Sequence, residues 1–188
     1  MGKFEIGHTI NVKPRTAPPP PPVPNCKWVP LTRQMFALVD DCVFERVMEH
    51  FWQCSPKHKK SKTNYAVTRI NYKDRSRLIG LHEFLWSQVW HLPDTPQIDH
   101  RNGDGLIGTF NNLRAASQSQ NQHNRGIQNN NRSGFKGVGW LKANQKWRAR
   151  IKVNGKSKLL GYWDDPELAY AAYCKAAVEL HLDFARVK

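Results

Sequence analysis

Hydrophobic and polar positions along the chain alternate with two different periods. Phe36-Ala-Leu-Val39 is a short apolar run that reads as a strand, closed by Asp40 and Asp41 as a turn or helix cap. Val43 to Trp52 carries apolar residues at 43, 44, 47, 48, 51 and 52, which is helical spacing. Tyr65 to Ile70 alternates as a strand, and Leu78 to Trp90 reads as strand running into helix. Ser117-Gln-Ser-Gln120 fits a capping box, Ser at the N-cap and Gln three residues on, and predicts a helix from Gln118. Phe135 to Trp140 reads as a strand. Lys146 to Val153 alternates cleanly, Trp147, Ala149 and Ile151 pointing one way and Arg148, Arg150 and Lys152 the other. Asn154-Gly155 is a hairpin turn leading into a third strand, Lys156 to Trp163. Asp165 then caps a helix with Pro166 at its first position and Glu167 near its positive end. Ala169, Ala172, Tyr173, Ala176 and Leu180 make its apolar stripe, and the alanines let it lie close to a sheet.

Between these elements two stretches lack any apolar period. Eight of the twelve prolines lie between Pro14 and Pro30, so residues 1–26 are expected to be a disordered, polyproline II tail or spacer. Arg125 to Arg132 has loop composition and reads as a linker over 125–132. Ser55 to Asn64 reads as a solvated basic loop. The expected fold class is therefore α+β in two small domains, 27–124 and 133–188.

Charge sharpens this division. The chain has 29 Lys and Arg against 15 Asp and Glu, a formal net charge of +14. Residues 105–163 hold eleven of those bases and no acid, whereas residues 164–188 are slightly acidic. An acid-free block of that length inside a foldable sequence reads as a nucleic-acid footprint. No run approaches the ~20 apolar residues of a membrane-spanning helix, and the opening residues lack the apolar core of a secretory signal. Cys26, Cys42, Cys54 and Cys174 form no C-x-x-C pair, so reduced thiols are expected rather than disulfides or a zinc site.

Candidate chemistry sits at the start of the basic block. Asp99 and His100 follow Ile98, at the end of an expected strand; Asn112 comes later and Asn121 falls in the first turn of the capped helix, able to point back at that strand. An Asp carboxylate and an Asn amide oxygen suit a hard divalent cation, with water and phosphate completing its shell. A histidine beside them can activate water. Asn112, with a donor and an acceptor, suits holding the loop and orienting His100.

These residues resemble the ββα-metal motif of His-Asn-His (HNH) endonucleases, in the variant whose last ligand is Asn. IDH-NGDGL at 98–106, NNLR at 111–114, S-x-x-x-N at 117–121, and upstream PLT at 30–32, FALVDD at 36–41 and YAV at 65–67 carry the resemblance to small phage and intron-encoded nucleases. It implies Asp99 and Asn121 as metal ligands, His100 as general base, Asn112 as the middle Asn, and one Mg2+ or Mn2+. His82 matches a recurring structural or phosphate-contacting position, with His123 a possible auxiliary, although His123 and Asn124 are expected to face solvent. Ile107-Gly108-Thr109 departs from the usual Asp-Asn-Arg, and Glu83 replaces the usual Arg after His82, leaving reduced or lost cleavage open.

The basic alternating sheet resembles the plant ethylene-response-factor (APETALA-type) DNA-binding domain. GFKGV at 134–138, W-x-A-x-I at 147–151, LGYW at 160–163, A-x-x-A-Y-x-x-A-A at 169–177 and FAR at 184–186 carry it. It implies a three-stranded antiparallel sheet on one helix, with Lys136, Arg148, Arg150 and Lys152 contacting double-stranded DNA and Trp140, Lys142 and Tyr162 as weaker candidates. Gly139 and Leu141 depart from the plant pattern. The expected protein is a phage-type, homing-endonuclease-like HNH DNA endonuclease, nicking as a monomer or weak dimer without an obligatory protein partner, in the cytoplasm of a phage-infected bacterium. The alternative is a non-catalytic DNA-binding protein with a degenerate HNH domain; RNA binding needs only the charge and is a third.

Overall fold

In the computed structural model, residues 18–55, 63–72, 75–128 and 130–187 are described. The fold is mixed α/β, built from four small antiparallel sheets with short helices between them. The first half has β1 (Cys26–Pro30), β2 (Phe36–Asp40), α1 (Phe44–Met48), β3 (Gln53–Cys54), β4 (Ala66–Tyr72), β5 (Arg75–Gly80) and α2 (Leu81–Phe84). There follow β6 (Gln97–His100), β7 (Leu113–Ala116) and α3 (Gln118–His123). The second half is β8 (Val138–Leu141), β9 (Lys146–Val153), β10 (Lys156–Trp163) and α4 (Pro166–His181). None of the described helices is long and apolar enough to cross a membrane, and the four cysteines are free.

The proline-rich segment is partly engaged. β1 pairs with β2 from Cys26↔Asp40 to Pro30↔Phe36. In this two-stranded sheet Pro30 lies at a strand end, where its missing N–H costs little. The Trp28 indole donates to the Pro19 carbonyl at 2.7 Å, so the polyproline run lies against the sheet there. The remainder of the expected tail, residues 1–17, lies outside the described residues, as does most of the basic loop at 56–62.

The helix expected over Val43 to Trp52 is shorter, a 3-10 turn (Asp41–Val43) leading into α1. Side-chain bonds take the carbonyls at and after its end: Trp52 Nε1 donates to the Val47 carbonyl at 2.8 Å, and the Thr68 hydroxyl, from β4, donates to the Phe51 carbonyl at 2.8 Å. Trp52 is thereby driven edge-on against Phe84, at the centre of a core with Val29, Leu31, Val39, Val47, Leu81 and Leu85. Met48 and Phe51, which the helical spacing put on the same face, stay exposed.

β9, β10 and the Asn154-Gly155 turn stand where the sequence puts them, in a sheet of order β10-β9-β8. β8 begins three residues later than expected. Before it, the Ser133 hydroxyl accepts from the Phe135 N–H at 3.1 Å and lies 2.9 Å from the Val138 carbonyl, closing a turn. Gly137 in that turn has φ +77°, and a Cβ there would stand 2.2 Å from the Tyr173 ring, so only glycine allows the approach. Asp165 caps α4 by accepting from Glu167 N at 2.7 Å. The buried row on α4 is Ala169, Tyr173, Ala177 and His181, together with Ala176. Leu180, expected in the stripe, is exposed, and the polar His181 takes the buried position through Nε2 at 2.9 Å from the Lys152 carbonyl.

Candidate nuclease site and basic face

The residues expected to do chemistry lie on a hairpin followed by a short helix. β6 and β7 pair antiparallel from Gln97↔Ala116 to His100↔Leu113. α3 starts after Ser117, whose hydroxyl accepts from Gln120 N while the Gln120 side chain accepts from Ser117 N, the capping box read from the sequence. α3 lies over the face of β6 bearing Gln97 and Asp99: Asn121 donates from its amide to Gln97 Oε1, and Asn124, one turn on, donates to both Asp99 oxygens at 3.0 Å and to the His100 carbonyl at 2.6 Å.

The connection from His100 to Leu113 is knitted at both ends. Asn112 accepts from Asn102 N at 3.1 Å and donates to the Ile107 carbonyl at 2.7 Å, so it holds the loop, as its two-sided side chain suggests. The Ile107-Gly108-Thr109 departure docks against β2. Leu38 donates to the Leu106 carbonyl at 2.9 Å and accepts from Gly108 N at 2.8 Å, while the Asp40 carboxylate takes Phe110 N at 2.8 Å. A Cβ at Gly108 would stand 2.9 Å from Leu85, so this docking needs the glycine.

Asp99 is only 4% exposed. Arg114, from β7, bonds its Oδ2 through Nε at 2.8 Å and through its terminal nitrogen at 2.7 Å. A buried carboxylate needs such a partner, because desolvation of an unpaired charge is severe. Oδ1 accepts only from Asn124 among the described residues, and Asn121, having spent its N–H on Gln97, keeps its carbonyl oxygen to offer a ligand. Among the described residues there is no cluster of three His, Cys, Asp or Glu side chains that could hold a metal; the oxygen donors here are one carboxylate and one amide.

His100 points to the other side of β6. Its ring, 7% exposed, meets His82 edge-on at 5.2 Å and Tyr65 at 5.9 Å. Burial pushes the His100 imidazole down to about 4, and burial with the neighbouring His100 does the same to His82. Both rings are neutral at neutral pH, the form in which an imidazole accepts a proton. His82 therefore belongs to the site as a packing partner. His123 does not: its ring stacks on His181 at 3.6 Å, facing the second half of the chain.

This burial has a consequence for stability. In the unfolded chain both imidazoles take up protons below about pH 6.5, whereas in the fold they resist until about pH 4. The unfolded state binds more protons in between, so the pair's contribution to stability should fall as pH drops from about 6.5 to about 4 and be constant above that window. Thermal melts across that range measure it; a midpoint that does not fall between pH 6.5 and 4.5 would contradict the buried, neutral pair.

On the sheet, Ala149 and Ile151 are buried on α4 while Arg150 and Lys152 are exposed on the opposite face, as the alternation predicts. Register pairs Tyr162 with Arg148, placing the tyrosine on the basic face. A groove of about 440 Å³ runs there, lined by Arg148, Arg150 and Lys152 with Gln128 and Asn131 from the linker. Arg148 Nε is buried there with no hydrogen-bond partner among the described residues. Three candidates fall elsewhere. Trp140 pairs with Trp147 and shares its face, on the α4 side. Lys142 is in the β8–β9 turn. Lys136 turns inward, its ammonium on the carbonyls of His123 and Arg186, and burial followed by the Arg186 charge pushes it down to about 8.

Asn124, weighed from the sequence as a metal auxiliary but expected to face solvent, is 5% exposed. Its spacing of three from Asn121 puts both on one helix face, and that was the available signal. Arg114 and Tyr65 lie inside motifs that carry the resemblance, NNLR and YAV, but no role was assigned to either; the β6–β7 register sets Arg114 opposite Asp99, and the packing of the hairpin brings Tyr65 to His100. Residues 182–187 also pack on the first half, so the two halves are not separated by a free linker: Arg186 donates to the Asn124 carbonyl at 3.2 Å.

The chain is 33% identical over 106 residues to Protein 3.8 of Escherichia phage T7, a match spanning 54% of this chain and 87% of that protein. No protein-family model matches the chain, and no solved structure does.

Proposed function

The chain belongs to the family of Protein 3.8 of Escherichia phage T7, and for it we propose metal-dependent hydrolysis of DNA phosphodiester bonds by an HNH-type site, with the C-terminal sheet holding the duplex. The observation that carries this reading is the joint placement of Asp99, His100, Asn112, Asn121 and Asn124 on one hairpin and the helix that follows it, with His100 buried and neutral. That arrangement suits a ββα-metal motif. The phage relative is in keeping with a setting inside an infected bacterium.

The donor set fits a hard divalent cation, Mg2+ or Mn2+. Asp99 Oδ1 and Asn121 Oδ1 would hold it, and because Asp99 is already paired with the Arg114 guanidinium the affinity without DNA should be weak, with phosphate oxygens supplying the rest of the shell. Such an ion supplies charge stabilisation at the scissile phosphate and the leaving 3′ oxygen. His100 takes the proton from the attacking water as its oxygen bonds phosphorus and the P–O3′ bond breaks, and Asn112 fixes the loop that follows His100. With one such site per chain, a monomer nicks one strand. A basic face of Arg148, Arg150 and Lys152, with Tyr162 beside Arg148, suits contact with duplex phosphates and base edges.

Incubation of supercoiled plasmid with the protein and Mg2+ or Mn2+ tests the reading: conversion to open circle, abolished by chelator, is expected. The engagement of Asp99 by Arg114 and Asn124 favours one second reading, a DNA-binding protein without cleavage; it stands if DNA is bound and neither metal yields nicks. On the sheet, Arg148→Ala with Arg150→Ala should weaken duplex binding by roughly 1–3 kcal/mol for each base edge the side chains no longer reach. It should also flatten the dependence of affinity on salt by about one unit of slope for each phosphate no longer neutralised. Equal affinity and an equal salt slope would remove the sheet from the interface.

A further inference from the structure

The Asp99 carboxylate is held from the far end of the chain. Arg114, 8% exposed, spends two nitrogens on Asp99 Oδ2 and a third on the Asp183 carbonyl at 2.6 Å, and its guanidinium carbon stands 3.6 Å from the centre of the Phe184 ring. A guanidinium engaged along both edges and over one face has one orientation. Asp183 and Phe184 reach it because α4 breaks at Leu182, with φ 49° and ψ −128°. That conformation is strained for a residue with a side chain and persists only where the surroundings enforce it. The segment it redirects is tied down along its length. Arg186 donates to the Asn124 carbonyl, and a Cβ at Gly103 would stand 1.8 Å from that guanidinium; the Tyr170 hydroxyl donates to the Val187 carbonyl at 2.6 Å.

We propose that residues 182–187 act as a strap that positions the candidate metal ligand. Phe184 is a positioning residue that works through Arg114 on Asp99, so the site in the first half is complete only when the C-terminal half is docked on it. The proposal rests on the nuclease reading for its consequence, though not for its geometry. With Oδ2 pinned by Arg114, Oδ1 keeps a fixed direction toward a ligand; with Arg114 loosened, the carboxylate can turn, and Asn124, which bonds both oxygens and the His100 carbonyl, keeps only the carbonyl as a fixed acceptor among these three.

Full-length Phe184→Leu, which keeps an apolar side chain but removes the ring, tests this beside Phe184→Tyr, which restores the ring. In nuclear magnetic resonance spectra the Asn124 side-chain amide should be shifted and its exchange with solvent accelerated in the Leu variant, and both should return to wild-type values in the Tyr variant. The Mg2+ concentration giving half-maximal plasmid nicking should rise about tenfold or more with Leu and recover with Tyr, while duplex affinity measured in chelator stays at the wild-type value. Wild-type Asn124 signals in the Leu variant would overturn the strap whatever the activity. If wild-type protein nicks nothing while those signals respond as expected, the strap stands and the nuclease reading falls.

Discussion

His100→Ala should lower metal-dependent nicking of supercoiled DNA by roughly 10²–10⁴-fold, the ordinary contribution of a positioned general base, while leaving duplex affinity as it was. The expectation follows from where the ring stands and in which form. It ends β6, next to Asp99, with its carbonyl held by Asn124, and burial keeps it unprotonated far below neutral pH. Alanine removes the imidazole that ends β6 beside Asp99; the neighbouring His82 ring comes from α2 and is not on the hairpin. Initial rates on plasmid at saturating Mn2+, with circular dichroism to show that the variant folds, measure the effect. Nicking at the wild-type rate would take His100 out of the chemistry and, with it, the HNH assignment. The matching change on the sheet, Arg148→Ala with Arg150→Ala, should do the reverse, weakening binding without touching the hairpin.

Arg114→Ala should cost roughly 3–5 kcal/mol of stability, the penalty for stranding a buried charge. For a chain of this size that is a fall in melting temperature of roughly 6–20 °C. Asp99 is 4% exposed and Arg114 8%, so both charges are largely shielded from water. Once the guanidinium is gone, the carboxylate keeps, among the described residues, only the amide of Asn124. The loss extends beyond the pair, since Arg114 also bonds the Asp183 carbonyl and covers Phe184, so the junction between the halves should loosen as well. Asp99→Leu combined with Arg114→Leu removes both charges and should recover much of the loss, because a buried pair contributes little net stability over apolar residues that fill its space. Thermal and denaturant melts of the three proteins decide it; a single variant within about 1 kcal/mol of wild type would mean that Asp99 is not buried against Arg114.

How much of this was legible beforehand varies from element to element. β9, its turn and β10 were readable because strict alternation along β9 beside an Asn-Gly pair fixes the register next to the turn; the shift of that register between Leu159 and Gly161 was not. The caps of α3 and α4 were readable because Ser117, Gln120 and Asp165 act on backbone groups two or three residues away. Two element boundaries were not. α1 stops where Trp52 and Thr68 take the backbone carbonyls of Val47 and Phe51, and β8 starts late because the Ser133 turn holds the chain before it.

For the candidate site the same division holds. The positions of Asp99, His100, Asn112 and Asn121, and the acid-free block around them, are properties of the sequence, since spacing and composition are local and charge adds along the chain. Which of these groups touch is not. Arg114 on Asp99, Asn124 turned inward, His100 between His82 and Tyr65, and Lys136 withdrawn from the basic face all depend on how separate elements pair and pack, which spacing along the chain does not state. A buried charge or amide takes whichever partner packing brings to it, and for Arg114 that partner set includes Phe184, 70 residues further along the chain.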